Sequence, residues 1–105
     1  MPVAATDDVP ASTAFWRVAG FDIEEFSDEF VIATQFGVEL HITSTARGDR
    51  PGGFYLHIQD VDTVHDAWKR AGLPVSDVVD QPWDMREFSF TDPSGNRVRV
   101  GQNID

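Results

Sequence analysis

Two pairs of polar side chains stand at strand-like spacing in this sequence and could act together in chemistry. Glu39 and His41 lie two residues apart in a stretch that alternates apolar and polar residues, so both should project from one face of a strand. Tyr55 and His57 are spaced in the same way. A carboxylate beside an imidazole can form an acid–base pair, and Glu39, His41 and His57 together would be a possible metal site. The favoured alternative is a polar lining that hydrogen-bonds a ligand or water.

The C-terminal stretch 81–102, QPWDMREFSFTDPSGNRVRVGQ, predicts a loop followed by a β-hairpin. Strands Met85–Thr91 and Arg97–Gln102 flank the turn 92–96, in which Pro, Gly, Asp and Asn each favour a turn. Alternation predicts a core face formed by Phe88, Phe90, Val98 and Val100 and an opposite face formed by Glu87, Ser89, Thr91, Arg97, Arg99 and Gly101. This opposite face is a polar surface that could bind a ligand. Arg86 and Glu87 are interpreted as a salt-bridged rim, with orientation of the Trp loop as the alternative.

The three tryptophans fall into two classes. Trp16 and Trp68 lie on the inner sides of predicted amphipathic helices and are expected in the core. Trp83 lies in a loop flanked by Pro and Asp, where it could contact a ligand or pack at a dimer interface. Phe30 begins a strand after an acidic turn and could serve either a ligand site or the core.

Composition limits the classes of function. The 105 residues contain 41% hydrophobic residues and no Cys, so we expect one folded domain without a disulfide framework or a thiol nucleophile. No apolar run approaches the roughly 20 residues that span a bilayer, and the N-terminus lacks a signal-peptide pattern, so a cytoplasmic location is expected. A net charge of −10 argues against nucleic acid as a partner. The charge suits a cationic small molecule, although acidic surfaces also simply keep proteins soluble.

The rest of the chain reads as short strands and two helices. The predicted helices are about Val9–Ala19, capped by Asp8, and about Val61–Ala71, capped by Asp60. The predicted strands are Val3–Thr6, Phe21–Ser27, Phe30–Phe36, Val38–Ser44, Phe54–Gln59 and a weaker Leu73–Val79, in addition to the hairpin. Within Phe21–Ser27, Phe21, Ile23 and Phe26 are expected to face inward. The acidic residues between Asp22 and Glu29 are interpreted as a solvated edge, or as a means of attracting a cation.

The two halves of the chain repeat each other at an offset of 52 residues. Asp8-Val9 falls on Asp60-Val61, Trp16 on Trp68 and Ala19-Gly20 on Ala71-Gly72. A single shift of about half the chain predicts a duplicated βαβββ unit. We therefore expect a single domain of two repeats, about 1–50 and 51–105, with the loop 46–53 as their boundary.

These motifs together resemble the vicinal oxygen chelate superfamily, which includes glyoxalases, bleomycin-resistance proteins and extradiol dioxygenases. The resemblance covers nearly the whole chain. Within it, Pro82-Trp83 through Arg86-Glu87-Phe88 to the DPSGN turn is most similar to the bleomycin-resistance branch. It implies an α+β fold of two βαβββ modules that form a cleft, completed in a dimer.

The resemblance also locates where the metal ligands of the superfamily's enzymes would fall. These positions are about Met1, Glu39, about Gly53, and Arg99. Only Glu39 is a metal-binding residue type, and a catalytic site needs about three protein ligands. No cofactor, metal or catalytic residue is therefore expected.

The resemblance instead implies a metal-independent homodimer that sequesters a planar, cationic antibiotic, as in bleomycin resistance, with exchange of elements between subunits. Phe30 and Trp83 match the aromatic residues that clamp the rings of the drug. The full expected ligand-binding set is Phe30, Ile32, Phe36, Glu39, His41, Tyr55, His57, Trp83, Met85 and Arg99. Asp84, His41 and His57 depart from the branch pattern and leave the particular drug open.

Two other functions stay open at this point. One is a metal-dependent lyase, isomerase or dioxygenase of the same superfamily, with a displaced metal site at Glu39, His41 and His57. The other is a small interaction subunit whose cleft is vestigial.

Overall fold

Two copies of one βαβββ arrangement make up the structure, a computed structural model that describes residues 2–44 and 53–104. The elements are β1 Val3–Ala5, α1 Val9–Val18, β2 Asp22–Ser27, β3 Phe30–Gln35, β4 Val38–Thr43, β5 Gly53–His57, α2 Val61–Arg70, β6 Val79–Gln81, β7 Met85–Thr91 and β8 Arg97–Asn103. The predicted pair of βαβββ modules and the α+β class are confirmed. Positions 46–52 of the predicted boundary loop lie outside the described residues.

Each half contributes one four-stranded sheet with the same strand order. Sheet 1 has the order β1-β4-β3-β2 and sheet 2 has the order β5-β8-β7-β6. In each sheet the first strand pairs in parallel with the last strand of its module, and the other pairs are antiparallel. The two halves, which repeat in sequence at an offset of 52 residues, therefore also share one strand order.

The helix boundaries follow from capping. The side chain of Asp8 accepts a hydrogen bond from the Ala11 amide at 3.0 Å, and the side chain of Asp60 accepts one from the Thr63 amide at 3.2 Å. Each helix ends before a glycine with positive φ, 105° at Gly20 and 93° at Gly72, as the sequence predicted.

Both helices lie between the two sheets and share one core. The Trp16 ring of α1 contacts Phe54 and Phe90 of sheet 2, with centroids 6.1 and 5.8 Å apart. The Trp68 ring of α2 contacts Phe21, which leads into sheet 1, at 5.9 Å, and lies 6.4 Å from Trp16. Both tryptophans are buried, as predicted. The other face of each sheet, called here its open face, therefore points away from the core.

The DPSGN turn joins sheet 2 to the first strand of sheet 1. The carboxylate of Asp92 accepts hydrogen bonds from the amides of Ser94 and Asn96, at 3.0 and 2.8 Å. The buried Asn96 side chain then donates to the Ala5 carbonyl at 2.7 Å. The turn thus positions β1 beside the second half of the chain.

Two sequence predictions about local structure were wrong. No strand covers 73–78, and β6 begins only at Val79. Pro74 has no amide hydrogen to donate, and the Val75 amide closes a tight turn onto the Leu73 carbonyl at 2.8 Å. Phe26 is 56% exposed and does not face inward, because the pairing of β2 with β3 shifts between Glu25 and Ser27.

No helix in the ranges 2–44 and 53–104 is long and apolar enough to cross a membrane.

Candidate functional site

The open face of sheet 1 carries four of the predicted site residues. Pairing places Val31 and Ala33 of β3 opposite Ile42 and Leu40 of β4, and these four side chains are buried in the core. Because side chains alternate along a strand, Phe30, Ile32, Glu39 and His41 project to the other side. Ile32 pairs directly with His41. The sequence prediction that Glu39 and His41 share a face is confirmed.

An aromatic and acidic surface results on sheet 1. The Phe30 ring packs on its edge against His41, with centroids 5.2 Å apart, and Phe26 lies 5.6 Å from Phe30. His41 Nε2 lies 3.4 Å from a Glu39 carboxylate oxygen. Phe26 was missed as a surface residue, because its outward position depends on the bulge in β2 rather than on alternation.

On sheet 2 the open face is organised around one buried carboxylate, that of Glu87. The Tyr55 hydroxyl donates to Glu87 Oε2 at 2.8 Å, and an Arg99 guanidinium nitrogen donates to Glu87 Oε1 at 3.0 Å. The indole N–H of Trp83 points to Oε2 at 3.4 Å. Glu87 is only 5% exposed, although it lies on the face away from the core, because these neighbours cover it.

The protonation states in this cluster follow from the same contacts. Burial alone would raise the pKa of Glu87, but hydrogen bonds from Tyr55, Arg99 and Trp83, together with the charge of Arg99, outweigh burial and lower it. Burial, followed by the hydrogen bond to Glu87, raises the pKa of Tyr55 above its ordinary value. Tyr55 therefore stays a neutral donor and Glu87 a charged acceptor at neutral pH.

Gly101 leaves the space that this cluster occupies. It stands opposite His57 on β5 and Glu87 on β7. A Cβ at this position would overlap the Tyr55 hydroxyl and crowd the Glu87 side chain. Tyr55 itself pairs with Arg99, whose guanidinium carbon lies 5.6 Å from the centre of the Tyr55 ring, and His57 packs 5.3 Å away from that ring.

Trp83 is the most exposed of the three tryptophans, with 55% of its surface accessible. It lies in the turn between β6 and β7, which the Asp84 amide closes onto the Gln81 carbonyl at 3.2 Å. Asp84 has a φ of 63°, a conformation that Asp tolerates better than most residues. Met85 follows and is half-buried, at the start of β7.

Arg86 points to the side opposite Glu87 and forms an ion-pair network. It donates to both carboxylate oxygens of Asp80, at 2.7 and 3.2 Å, and to Asp62 of α2 at 3.0 Å. The predicted salt-bridged rim is therefore confirmed for Arg86, whereas Glu87 belongs to the buried cluster.

Phe36 lies apart from the other predicted site residues of sheet 1 and instead shares a cavity of about 510 Å³ with His57. It occupies the turn between β3 and β4 with a φ of 54°, and its ring lies 6.5 Å from Trp68 of α2. Its side chain is 44% exposed, and it faces that cavity together with Asp60 and Thr63 at the start of α2.

Apart from Phe36, which shares a cavity with His57, the predicted site residues form two groups that one chain does not bring together. Phe30, Ile32, Glu39 and His41 lie on sheet 1, and Tyr55, His57, Trp83, Met85 and Arg99 lie on sheet 2. Since both helices lie between the sheets, the two open faces point away from each other. A cleft lined by both groups needs a second copy of the chain.

The residues do not fit a metal ion of the kind that the superfamily's enzymes hold. Among the described residues, no three His, Cys, Asp or Glu side chains lie close enough together to share one. Glu39 and His41 are on sheet 1, whereas His57 is on sheet 2. Of the two positions on sheet 2 where ligands would fall, Gly53 has no side chain to offer and Arg99 carries a guanidinium, which is not a metal ligand.

The solved structures that resemble this chain include a drug-binding protein and an enzyme. A bleomycin-binding protein from Streptomyces verticillus, solved with copper(II)-bleomycin, is 29% identical, covers 94% of this chain and 90% of its own, and superposes with a TM-score of 0.76. A lactoylglutathione lyase from Agrobacterium tumefaciens is 23% identical over 97% of this chain and 92% of its own, with a TM-score of 0.71, which shows the shared fold.

Two curated sequences match part of this chain, and one family profile matches most of it. Polyphenol oxidases A and C of Solanum lycopersicum are 29% identical over 85 residues, which is 70% of this chain, but the chain spans only 14% of their length. The sequence profile of the Glyoxalase/Bleomycin resistance protein/Dioxygenase superfamily matches residues 2–100. The chain therefore belongs to the Glyoxalase/Bleomycin resistance protein/Dioxygenase superfamily.

Proposed function

We propose that this protein is a metal-independent binding protein that sequesters a planar, cationic, antibiotic-like molecule and thereby confers resistance of the bleomycin type. The observation that carries the proposal is Trp83, whose ring is 55% exposed while its indole N–H points to the buried Glu87. An aromatic ring that is held at one edge and open on its surface can stack on a flat ligand without being ordered first.

The opposite side of the binding site is supplied by sheet 1. Phe30 and His41 offer a second aromatic surface, and Glu39 and Glu24 place exposed carboxylates around it. A cation between aromatic faces near carboxylates gains roughly 0.5–2 kcal/mol per aromatic contact. The net charge of −10 adds long-range attraction for a cation.

A homodimer supplies the geometry that one chain lacks. The two open faces point away from each other, so each needs the complementary face of a second copy to enclose a ligand. Such an arrangement gives two equivalent sites for each dimer, which is the expectation for an interface with two-fold symmetry. The mechanism is stoichiometric capture, in which no bond of the ligand is made or broken.

The test is a fluorescence titration of the metal-free protein with bleomycin and its copper(II) complex. Trp83→Ala should weaken binding by about tenfold, since one aromatic contact is lost. Val18→Ala is the control, because Val18 is also an exposed hydrophobic residue but lies on α1, outside both sheets. Equal affinities for the wild-type protein and Trp83→Ala would contradict the proposal, as would binding of neither ligand form until a divalent metal is supplied to the protein.

A further inference from the structure

The open face of sheet 2 contains a groove between β8 and the outer edge of the sheet. Its volume is about 450 Å³, which is within the range of small-molecule sites. Asp77, Val79, Glu87, Ser89, Arg97 and Arg99 are among the residues that line it. The floor is formed by β7 and one wall by β8.

Hydrogen-bond donors without partners converge on the β8 side of this groove. Arg97 and Arg99 are two residues apart on one strand and therefore project to the same side. Arg99 donates to Glu87 through one nitrogen, whereas the exposed guanidinium of Arg97 has no hydrogen bond or ion pair to any described residue. Ser89 stands opposite Arg99 on β7, and its hydroxyl likewise has no described partner.

Within the groove, the positive charge lies on the β8 side and an acidic side chain lies on the opposite side. Glu87 is neutralised by Arg99, which leaves Arg97 as the uncompensated charge at β8. Asp77 lines the groove from the segment before β6, which is two strand positions or roughly 10 Å from β8. The β8 side is thus locally positive in a protein whose net charge is −10.

We infer that this groove binds an anionic oxygen group, such as a carboxylate, phosphate or sulfate, on an aromatic ligand. Guanidinium and hydroxyl donors that lack acceptors suit such a group, and charge-assisted hydrogen bonds are the strong ones. The inference deepens the proposed function and rests on it for the ligand that occupies this face. The captured molecule is then amphoteric, with its cationic part against the carboxylates of sheet 1 and its anionic part at Arg97.

Simple aromatic probes test this inference apart from the natural ligand. In a ¹⁵N nuclear magnetic resonance titration, 2-naphthoate should bind about tenfold more tightly than neutral 2-naphthamide, the size of one charge-assisted hydrogen bond. The signals of Ser89, Arg97 and Arg99 should shift. Arg97→Gln should abolish the preference for the carboxylate, and Asp77→Asn should strengthen naphthoate binding about twofold at low salt by removing a like charge.

Arg70→Gln is the matched control. It removes the same charge from an 80% exposed side chain on α2, which pairs with Asp66 away from the groove. Naphthoate affinity should therefore be unchanged in Arg70→Gln. Equal binding of naphthoate and naphthamide, shifts confined to residues that do not line the groove, or equal losses in Arg70→Gln and Arg97→Gln would overturn the inference. Arg97→Gln that changes the oligomeric state without affecting naphthoate would also overturn it, because Arg97 would then pair with a second copy.

The two proposals fail separately. If naphthoate shows no preference while bleomycin still binds through Trp83, the anion site is wrong and the proposed function stands. If bleomycin binding is absent while naphthoate discrimination holds, the groove is an anion site and the antibiotic role is wrong.

Discussion

Glu87 fixes three other side chains of the candidate site. Its two carboxylate oxygens accept hydrogen bonds from Tyr55 of β5, from Arg99 of β8 and from Trp83 in the turn before β7. A buried acceptor that serves several donors is costly to remove, because each donor then loses its partner. The position of the ligand-stacking ring is therefore coupled to a residue that does not itself stack.

Replacing Glu87 by Gln should lower the free energy of unfolding at pH 7 by about 2 kcal/mol, since a buried charged acceptor is lost beside Arg99. The lowered pKa of Glu87 means that the folded state binds this proton less readily than the unfolded state does. The stabilisation is thus complete above the ordinary carboxyl pKa and is lost as pH falls through the folded-state value. Urea unfolding of both proteins at a series of pH values checks this.

Glu24→Gln is the control for that experiment, because Glu24 is exposed on β2 and should change stability by no more than about 0.5 kcal/mol. The difference between wild type and Glu87→Gln should shrink below pH about 4. An equal difference at pH 3 and pH 7 would contradict the charged role of Glu87.

The role of Glu87 could be predicted only in part from the sequence. Alternation along 85–91 correctly places Glu87 opposite Phe88 and Phe90. Its main partner, Tyr55, is 32 residues earlier and meets it only because β8 lies between β5 and β7 with Gly101 at the crossing point. Such a contact depends on the register of three strands, which local patterns do not define.

At the scale of elements, the DPSGN turn does more than reverse the chain. The residue types predict the turn itself, and both flanking strands begin where the sequence places them. The hydrogen bond from Asn96 to Ala5, across 91 residues, was not predictable, because nothing local distinguishes an Asn that closes its own turn from one that also binds another strand. Similarly, Pro74 lies in a stretch with strand-like composition, but it has no amide hydrogen to donate to a neighbouring strand, and no strand forms there.

Asn96→Ala should destabilise the protein by about 1–3 kcal/mol, because the Ala5 carbonyl and the buried Asp92 carboxylate each lose a donor. Hydrogen exchange at β1 should accelerate more than exchange at β4, because the turn holds β1 in particular. Asn103→Ala makes the same change at an exposed position on β8 and should have little effect. Equal stability of the two variants would show that the turn does not anchor β1.

At the scale of the whole molecule, the duplicated sequence produces two sheets that share one core through both helices. Internal similarity and the resemblance together predict the modules and their strand order. They do not predict which face of each sheet turns toward the other sheet of the same chain. That arrangement depends on how Trp16 and Trp68 pack between the sheets. The alternative site at Glu39, His41 and His57 is divided between the two sheets of one chain for this reason.

The arrangement predicts that the protein is a dimer when it binds its ligand. Sedimentation equilibrium at micromolar concentration should give twice the chain mass of 11.7 kDa. Bleomycin binding should weaken on dilution in parallel with dissociation of the dimer, because each site then loses one of its two faces. A monomer that binds the drug with undiminished affinity would show that one open face is sufficient.

The central claim is capture without a metal cofactor, and calorimetric titration of chelator-treated protein with bleomycin tests it most directly. The account predicts one ligand bound per chain with micromolar or tighter affinity, which corresponds to about −8 kcal/mol or more favourable. Titration with copper(II)-bleomycin, in which the drug already holds its metal, should give the same stoichiometry. The absence of binding heat with both forms of the drug in the chelator-treated protein, with binding restored only after a divalent metal is loaded into the protein, would contradict the account.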